Sequence, residues 1–262
     1  MTKTILITGS TDGIGLLTAQ KLSNLGHLVL LHGRNQAKLD AAAATMTGPC
    51  EKYVADLSNP QDVTDLARAI RENHARLDVV INNAGVFKTP APRLSQGVDL
   101  RFMVNTFAPW VLTQDLLAIM PRDGRVVNLS SAAQAPIDVD AMNGQGRLDD
   151  FAAYAQSKLA ITIWTQELAR TLVDGPMVVA VNPGSLLASK MVKDGFGVAG
   201  NDLSIGADIL SVAALDASFE NANGAYFDND SGRFVDPHAA AQDVIHVRAV
   251  MDAIQENVAR LF

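Results

Sequence analysis

Cysteine is almost absent: Cys50 stands alone among the 262 residues. An internal disulfide is therefore excluded, and the chain suits a reducing, cytoplasmic setting. Cys50 itself reads as a small side chain near a turn rather than a reactive thiol. Long apolar runs are missing too. Although 48% of the residues are hydrophobic, no stretch is long enough to span a bilayer, so no membrane span is expected. The first strand pattern begins at Thr4, and no leader peptide is expected ahead of it. Positive charge is in short supply. Lys and Arg total 21 against 28 Asp and Glu, a net charge of −7 with no basic stripe. Nucleic acid is thereby disfavoured as the principal partner. No repeat, low-complexity tract or linker divides the sequence. Residues 1–262 read as one domain with ample apolar content for its core, and no metal site is expected.

What is present is alternation. Strand patterns at Thr4–Ile7, His27–His32, Tyr53–Leu57, Leu77–Ile81, Arg125–Ser131 and Val178–Val181 are separated by helical ones, with Gly224–Asp228 as a final strand. Val98 to Ile119 reads as a long helix with a kink at Pro109, and a second long helix runs from Tyr154 to Leu172. Asp243 to Phe262 reads as a C-terminal helix covering an edge. Alternation of this kind is the signature of βαβ units. The expected fold is α/β: a doubly wound parallel sheet of about seven strands with helices on both faces.

The chain is organised around Thr8-Gly9-Ser10-Thr11-Asp12-Gly13-Ile14-Gly15, between the first strand and a helix pattern at Leu16–Leu22. Glycines let the backbone turn tightly and approach a pyrophosphate, and a helix N-terminus offers free N–H groups and a positive dipole end. A chance G-x-G-x-x-G occurs at Gly195–Gly200, but no strand leads into it and no helix opens from it, so it reads as a loop.

The T-G-x-x-x-G-x-G spacing resembles the cofactor loop of the short-chain dehydrogenase/reductase family, with its Rossmann-like fold. Asn82-Asn83-Ala84-Gly85 matches that family's N-N-A-G signature, with Asn82, Ala84 and Gly85 lining the cofactor and Asn83 in a structural role. Arg34 follows the second strand where a carboxylate would bind the adenosine ribose; an arginine pairs instead with a 2′-phosphate. NADP(H) is therefore expected over NAD(H). The resemblance places Asp56 and Leu57 at the adenine ring, although Asp56 could equally cap the following helix, a role open to Ser58 or Asn59 as well. It also places Pro183 and Gly184 under the nicotinamide.

Tyr154 and Lys158 stand four apart, on one helical face. A free tyrosine titrates near pH ~10, and a nearby ammonium favours its phenolate. Ser131, at a strand end, could hydrogen-bond a substrate oxygen, with Ser130 as the fallback. With Asn105, whose family role is to organise a water in a proton relay, the resemblance implies a tetrad of Asn105, Ser131, Tyr154 and Lys158. The stretch between Ser131 and Tyr154 is about ten residues longer than the commonest family pattern. That length and Y-x-x-S-K-L-A…E-L-A-R at Tyr154–Arg170 resemble the retinol-dehydrogenase-like branch. Pro136 to Asp150 lacks that branch's usual aromatic and acidic pattern, so retinoid activity does not follow.

The expected activity is hydride transfer between NADP(H) and a carbonyl/alcohol pair, with Tyr154 as acid/base. Loops 132–150 and 185–201 would shape the pocket for a neutral, fairly apolar small molecule, the second acting as a lid. The alternative is a non-catalytic dinucleotide sensor or scaffold of the same fold, against which an intact tetrad speaks. A sugar-nucleotide epimerase or dehydratase is weakened by the chain's length. A homo-oligomer is left open, because the two long helices could pair between subunits.

Overall fold

The computed structural model describes residues 2–188 and 200–262. Eight strands form one sheet in the order β3-β2-β1-β4-β5-β6-β7-β8. They are β1 (Thr4–Ile7), β2 (Leu28–Gly33), β3 (Cys50–Val54), β4 (Val79–Asn82), β5 (Arg125–Leu129), β6 (Met177–Asn182), β7 (Tyr226–Asp228) and β8 (Arg233–Val235). The first seven are parallel, and β8 returns antiparallel to β7. The order reverses between β1 and β4, which opens a crevice at the carboxyl ends of the strands.

Both faces of the central strands are covered, so their side chains are apolar on both sides. Ile5 and Ile7 of β1 join one buried cluster with Ala19, Leu22 and Leu210, while Leu6 joins the opposite one with Leu66, Phe107 and Trp164. The first layer is built by α1 (Gly13–Asn24), α2 (Gln36–Ala43) and, later in the chain, Leu203–Leu215. The second layer contains α3 (Pro60–Asn73), whose Val63, Leu66, Ala67 and Ile70 lie on one buried face at helical spacing. Burying its Val63, Leu66 and Ile70 contributes roughly 1.5–3 kcal/mol each. Asn59 caps α3 by accepting from the Gln61 N–H, so the cap falls to Asn59 and not to Asp56.

The long second-layer helix is interrupted. It runs as α4 (Leu100–Phe102), a π turn (Met103–Phe107) and α5 (Ala108–Leu116). Pro109 has no N–H to bond the carbonyl of Asn105, and the turn widens so that the Ala108 N–H reaches Met103 five residues back. After β5 come α6 (Val139–Met142) and α7 (Asp150–Thr171), the latter capped by Asp149. The Leu203–Leu215 helix is α8, and the chain ends in α9 (Val244–Leu261), capped by Asp243. Helix α9 does not lie over a sheet edge, as the sequence suggested. It packs against α7, α6 and the π turn, and buries Val247, Val250, Ala253 and Ile254.

The eighth strand was not expected, and neither were α6, inside the expected 132–150 loop, and α8. Strand β8 is three residues long, its Arg233 and Phe234 are exposed, and it is held by Phe234 packing on Phe219 and Phe227 at 5.1 and 5.0 Å. Strand β3 begins earlier than its apolar residues suggest, because an edge strand tolerates the polar Glu51 and Lys52. No helix among the described residues is long and apolar enough to cross a membrane.

Candidate active site

The turn after β1 is shaped by two positive-φ glycines, Gly9 (φ 67°) and Gly13 (φ 56°). Gly15 is required for a different reason: a Cβ there would lie 2.4 Å from both Asn83 Nδ2 and the Gly9 carbonyl oxygen. Asn83 is the brace, donating to the carbonyls of Thr8 at 2.8 Å and Gly9 at 3.1 Å. The Thr8 hydroxyl receives the N–H groups of Asn83 and Ala84, both at 3.0 Å. Asp12 caps α1 by accepting from the Gly13 N–H. The N–H groups of Ile14 and Gly15 have no acceptor among the described residues. A tight glycine turn with unspent N–H groups at a helix start fits a pyrophosphate.

Ser10 serves the fold with its side chain. It is fully buried, its hydroxyl accepts from the His32 N–H at 2.9 Å, and its own N–H donates to the His32 carbonyl at 3.0 Å, so neither is left for a ligand. Thr11 abuts Gly33, where a Cβ would meet Thr11 Cγ2 at 2.6 Å. Arg34, next along, is exposed and makes no hydrogen bond or ion pair among the described residues. Asp56 accepts from the N–H of Ser58 at 2.9 Å and from its hydroxyl at 2.8 Å, and Leu57 beside it is buried. The Asn82 side chain is buried and donates from Nδ2 to Thr113 at 3.0 Å and Asn128 at 2.8 Å, while its Oδ1 has no partner among the described residues.

Three of the four expected catalytic residues, Ser131, Tyr154 and Lys158, gather beyond the end of β5, and Asn105 reaches them through Ser157. Ser131 faces the Tyr154 phenol closely enough to lower its pKa, while its hydroxyl accepts from the Ala133 N–H at 3.1 Å. Lys158 is buried, with its Nζ 5.7 Å from the Tyr154 ring centroid and donating to the Leu129 carbonyl at 2.7 Å. Burial pushes the lysine down to about 8. Tyr154 stands above its ordinary value, because burial outweighs the lowering hydrogen bond from Ser131. The expected depression by the lysine is thus not the dominant effect here. Asn105, in the π turn, exchanges bonds with Val86 (N–H to Oδ1 2.8 Å, Nδ2 to carbonyl 2.9 Å) and donates to Ser157 Oγ at 2.9 Å.

Pro183 and Gly184 follow β6 at the same end of the sheet. Gly184 has φ 124°, and the Pro183 carbonyl accepts from Asn229 at 3.0 Å. Of the expected lid, Ser185 is tied to Asp230 by its N–H at 2.8 Å, and Leu187 bridges Asn201. Residues 189–199, including Gly195 and Gly197, lie outside the described residues.

Three supporting groups were not singled out from the sequence. The Ser131 carbonyl accepts from both Tyr226 Oη and Gln134 Nε2, each at 3.0 Å. His32 is buried and pushed down to about 4 by desolvation. Its Nδ1 accepts from the Gly9 N–H at 3.1 Å, so Nε2 carries the proton and faces the Ala55 carbonyl, also at 3.1 Å. In the sequence, His32 was one residue of a strand, and Tyr226 and Gln134 stood far from one another. The only available signal was a polar group in an otherwise apolar strand.

Residues 3–196 match the short chain dehydrogenase family. Human retinol dehydrogenase 13 is 37% identical over 193 residues, which cover 70% of this chain and 58% of that protein. The chain therefore spans less than two thirds of that relative's length. Among solved structures, an uncharacterised protein from Mycobacterium paratuberculosis superposes with TM-score 0.82 at 28% identity, covering 98% of this chain and 93% of the other. The landomycin C-6 ketoreductase LanV, with NADP and rabelomycin bound, gives TM-score 0.69 at 28% identity, over 88% and 95% of the two chains. Glycine turn, N-N-A-G brace and the Ser–Tyr–Lys cluster at the sheet's carboxyl end stand together, and the chain belongs to the short-chain dehydrogenase family, on its retinol-dehydrogenase-like branch.

Proposed function

We propose that this chain reduces a neutral, fairly apolar ketone or aldehyde with NADPH, and oxidises the corresponding alcohol in reverse. The observation that carries the reading is the convergence of Ser131, Tyr154 and Lys158 at the end of β5, with Asn105 one contact away through Ser157. The NADP-bound ketoreductase among the structural neighbours supports it.

The glycine turn would hold the pyrophosphate, and Arg34, free of any partner among the described residues, would take the 2′-phosphate. When bound, the nicotinamide supplies the hydride for the carbonyl carbon. The chain's own residues manage the oxygen. The Ser131 hydroxyl orients it, and the Tyr154 phenol gives it a proton as charge develops there. Lys158, half-charged at about pH 8, stabilises the phenolate left behind and would hold the ribose. Asn105 fixes the Val86 backbone and, through its carbonyl that Pro109 cannot bond, offers an acceptor for a relay water. Phe87, 5.0 Å from the Tyr154 ring, and the half-exposed Phe151, 6.5 Å from Phe87, give the site an apolar flank.

The test is a side-by-side fluorescence titration with NADPH and NADH, followed by NADPH oxidation over a carbonyl panel. Tight NADPH binding, weak NADH binding and turnover of neutral ketones are expected. Equal affinities would remove the NADP assignment, and a strict preference for charged carbonyls would remove the substrate class.

A further inference from the structure

Arg101 is 1% exposed, and no charged side chain among the described residues is more deeply buried. Its Nη2 donates to Asp99 at 2.7 Å, and its Nη1 to Asp150 at 2.6 Å and to the Phe87 carbonyl at 3.5 Å. Nε has no partner among the described residues. Desolvating a guanidinium costs several kcal/mol, and an apolar side chain would fill such a place as stably, so stability alone does not account for it.

Its position does. Arg101 and Asn105 are four apart on one helical face, and each reaches the same two elements. Arg101 touches the backbone at Phe87, and Asn105 touches it at Val86. Arg101 grips α7 at Asp150, and Asn105 grips it at Ser157. Tyr154 lies between those two rungs, and its ring packs on Phe87 at 5.0 Å. We propose that Arg101 is a positioning residue for Tyr154, fixing the first turn of α7 through Asp150. This rests on the reading of Tyr154 as the proton donor.

The two carboxylates of the arginine separate positioning from stability. Asp99 caps α4 and does not touch α7, whereas Asp150 sits in the first turn of α7, 40% exposed. The variants are Asp150→Asn and Asp99→Asn, chosen because asparagine keeps the shape and still caps a helix. Asp150→Asn should lower kcat about tenfold with the NADPH dissociation constant and the melting temperature nearly unchanged. Asp99→Asn should lower the melting temperature and leave kcat within twofold. Amide exchange over residues 151–157 is read on the same variants, and should quicken in Asp150→Asn alone. That readout holds whether or not the wild-type protein turns over a carbonyl. Equal kcat losses in the two variants, an unchanged kcat in Asp150→Asn, or exchange over 151–157 that does not distinguish them would overturn the proposal. Absence of wild-type turnover would instead count against the hydride-transfer reading.

Discussion

His32 makes the cofactor turn acid-sensitive in a way that can be counted in protons. The ring is buried and neutral, with its pKa pushed down to about 4 from an unfolded value of 6.5. Between those two values the unfolded chain binds one proton more than the folded one, so stability falls as pH falls through the window and the contribution is intact above pH ~6.5. A difference of about 2.5 pH units at 1.36 kcal/mol each amounts to about 3 kcal/mol. Protonation also removes the Nδ1 lone pair that receives the Gly9 N–H, so the phosphate turn loosens as the ring charges. The perturbation is His32→Asn, whose amide oxygen can replace Nδ1 while the bond to Ala55 is lost at a cost of about 1 kcal/mol. The assay is urea unfolding at half-unit steps from pH 7 to pH 4.5. The wild-type slope of stability against pH should exceed the variant's by up to about 1.4 kcal/mol per unit, one proton's worth. Parallel slopes would show that His32 does not titrate with folding, and would refute the account.

Other perturbations have distinct signatures. Arg34→Ala should weaken NADPH binding by about 10- to 100-fold, the worth of a charged phosphate contact, and leave NADH unchanged; a matching loss for both cofactors would place Arg34 elsewhere. Lys158→Met should abolish turnover yet raise stability at pH 7 by up to about 3 kcal/mol. The buried lysine is lowered from 10.5 to about 8, so its burial penalty is full below pH ~8 and is relieved as pH rises towards 10.5. A destabilised Lys158→Met at neutral pH would contradict that sign. Tyr226→Phe deletes one of two donors to the Ser131 carbonyl, and should cost about 1 kcal/mol of stability with a several-fold loss in kcat, measured by melting and steady-state kinetics.

Much of this was legible in the chain because the information is local. The glycine turn, Asn83 and the Tyr154/Lys158 pair each declare themselves within eight residues. The cap at Asn59 was among the alternatives that residue type offered for that helix. What was hidden is non-local or contrary to hydropathy. The bond from Tyr226 to Ser131 joins residues 95 apart, and nothing in either neighbourhood marks it. Arg101 fell inside the expected Val98–Ile119 helix with nothing to mark it, and its burial is offset by two carboxylates, one of which, Asp150, comes from 49 residues away. The π turn was foreshadowed by Pro109, but its effect fell on Asn105 rather than producing a simple kink. Strand β8 was missed because its three exposed residues carry no alternation.

The most direct test of hydride transfer with Tyr154 as acid/base is the Tyr154→Phe variant. Its turnover is measured on a carbonyl that the wild-type protein accepts, and its NADPH affinity by fluorescence titration. Turnover should fall by a factor on the order of 10² to 10⁴ with the NADPH dissociation constant essentially unchanged. Turnover equal to the wild type's would contradict the account.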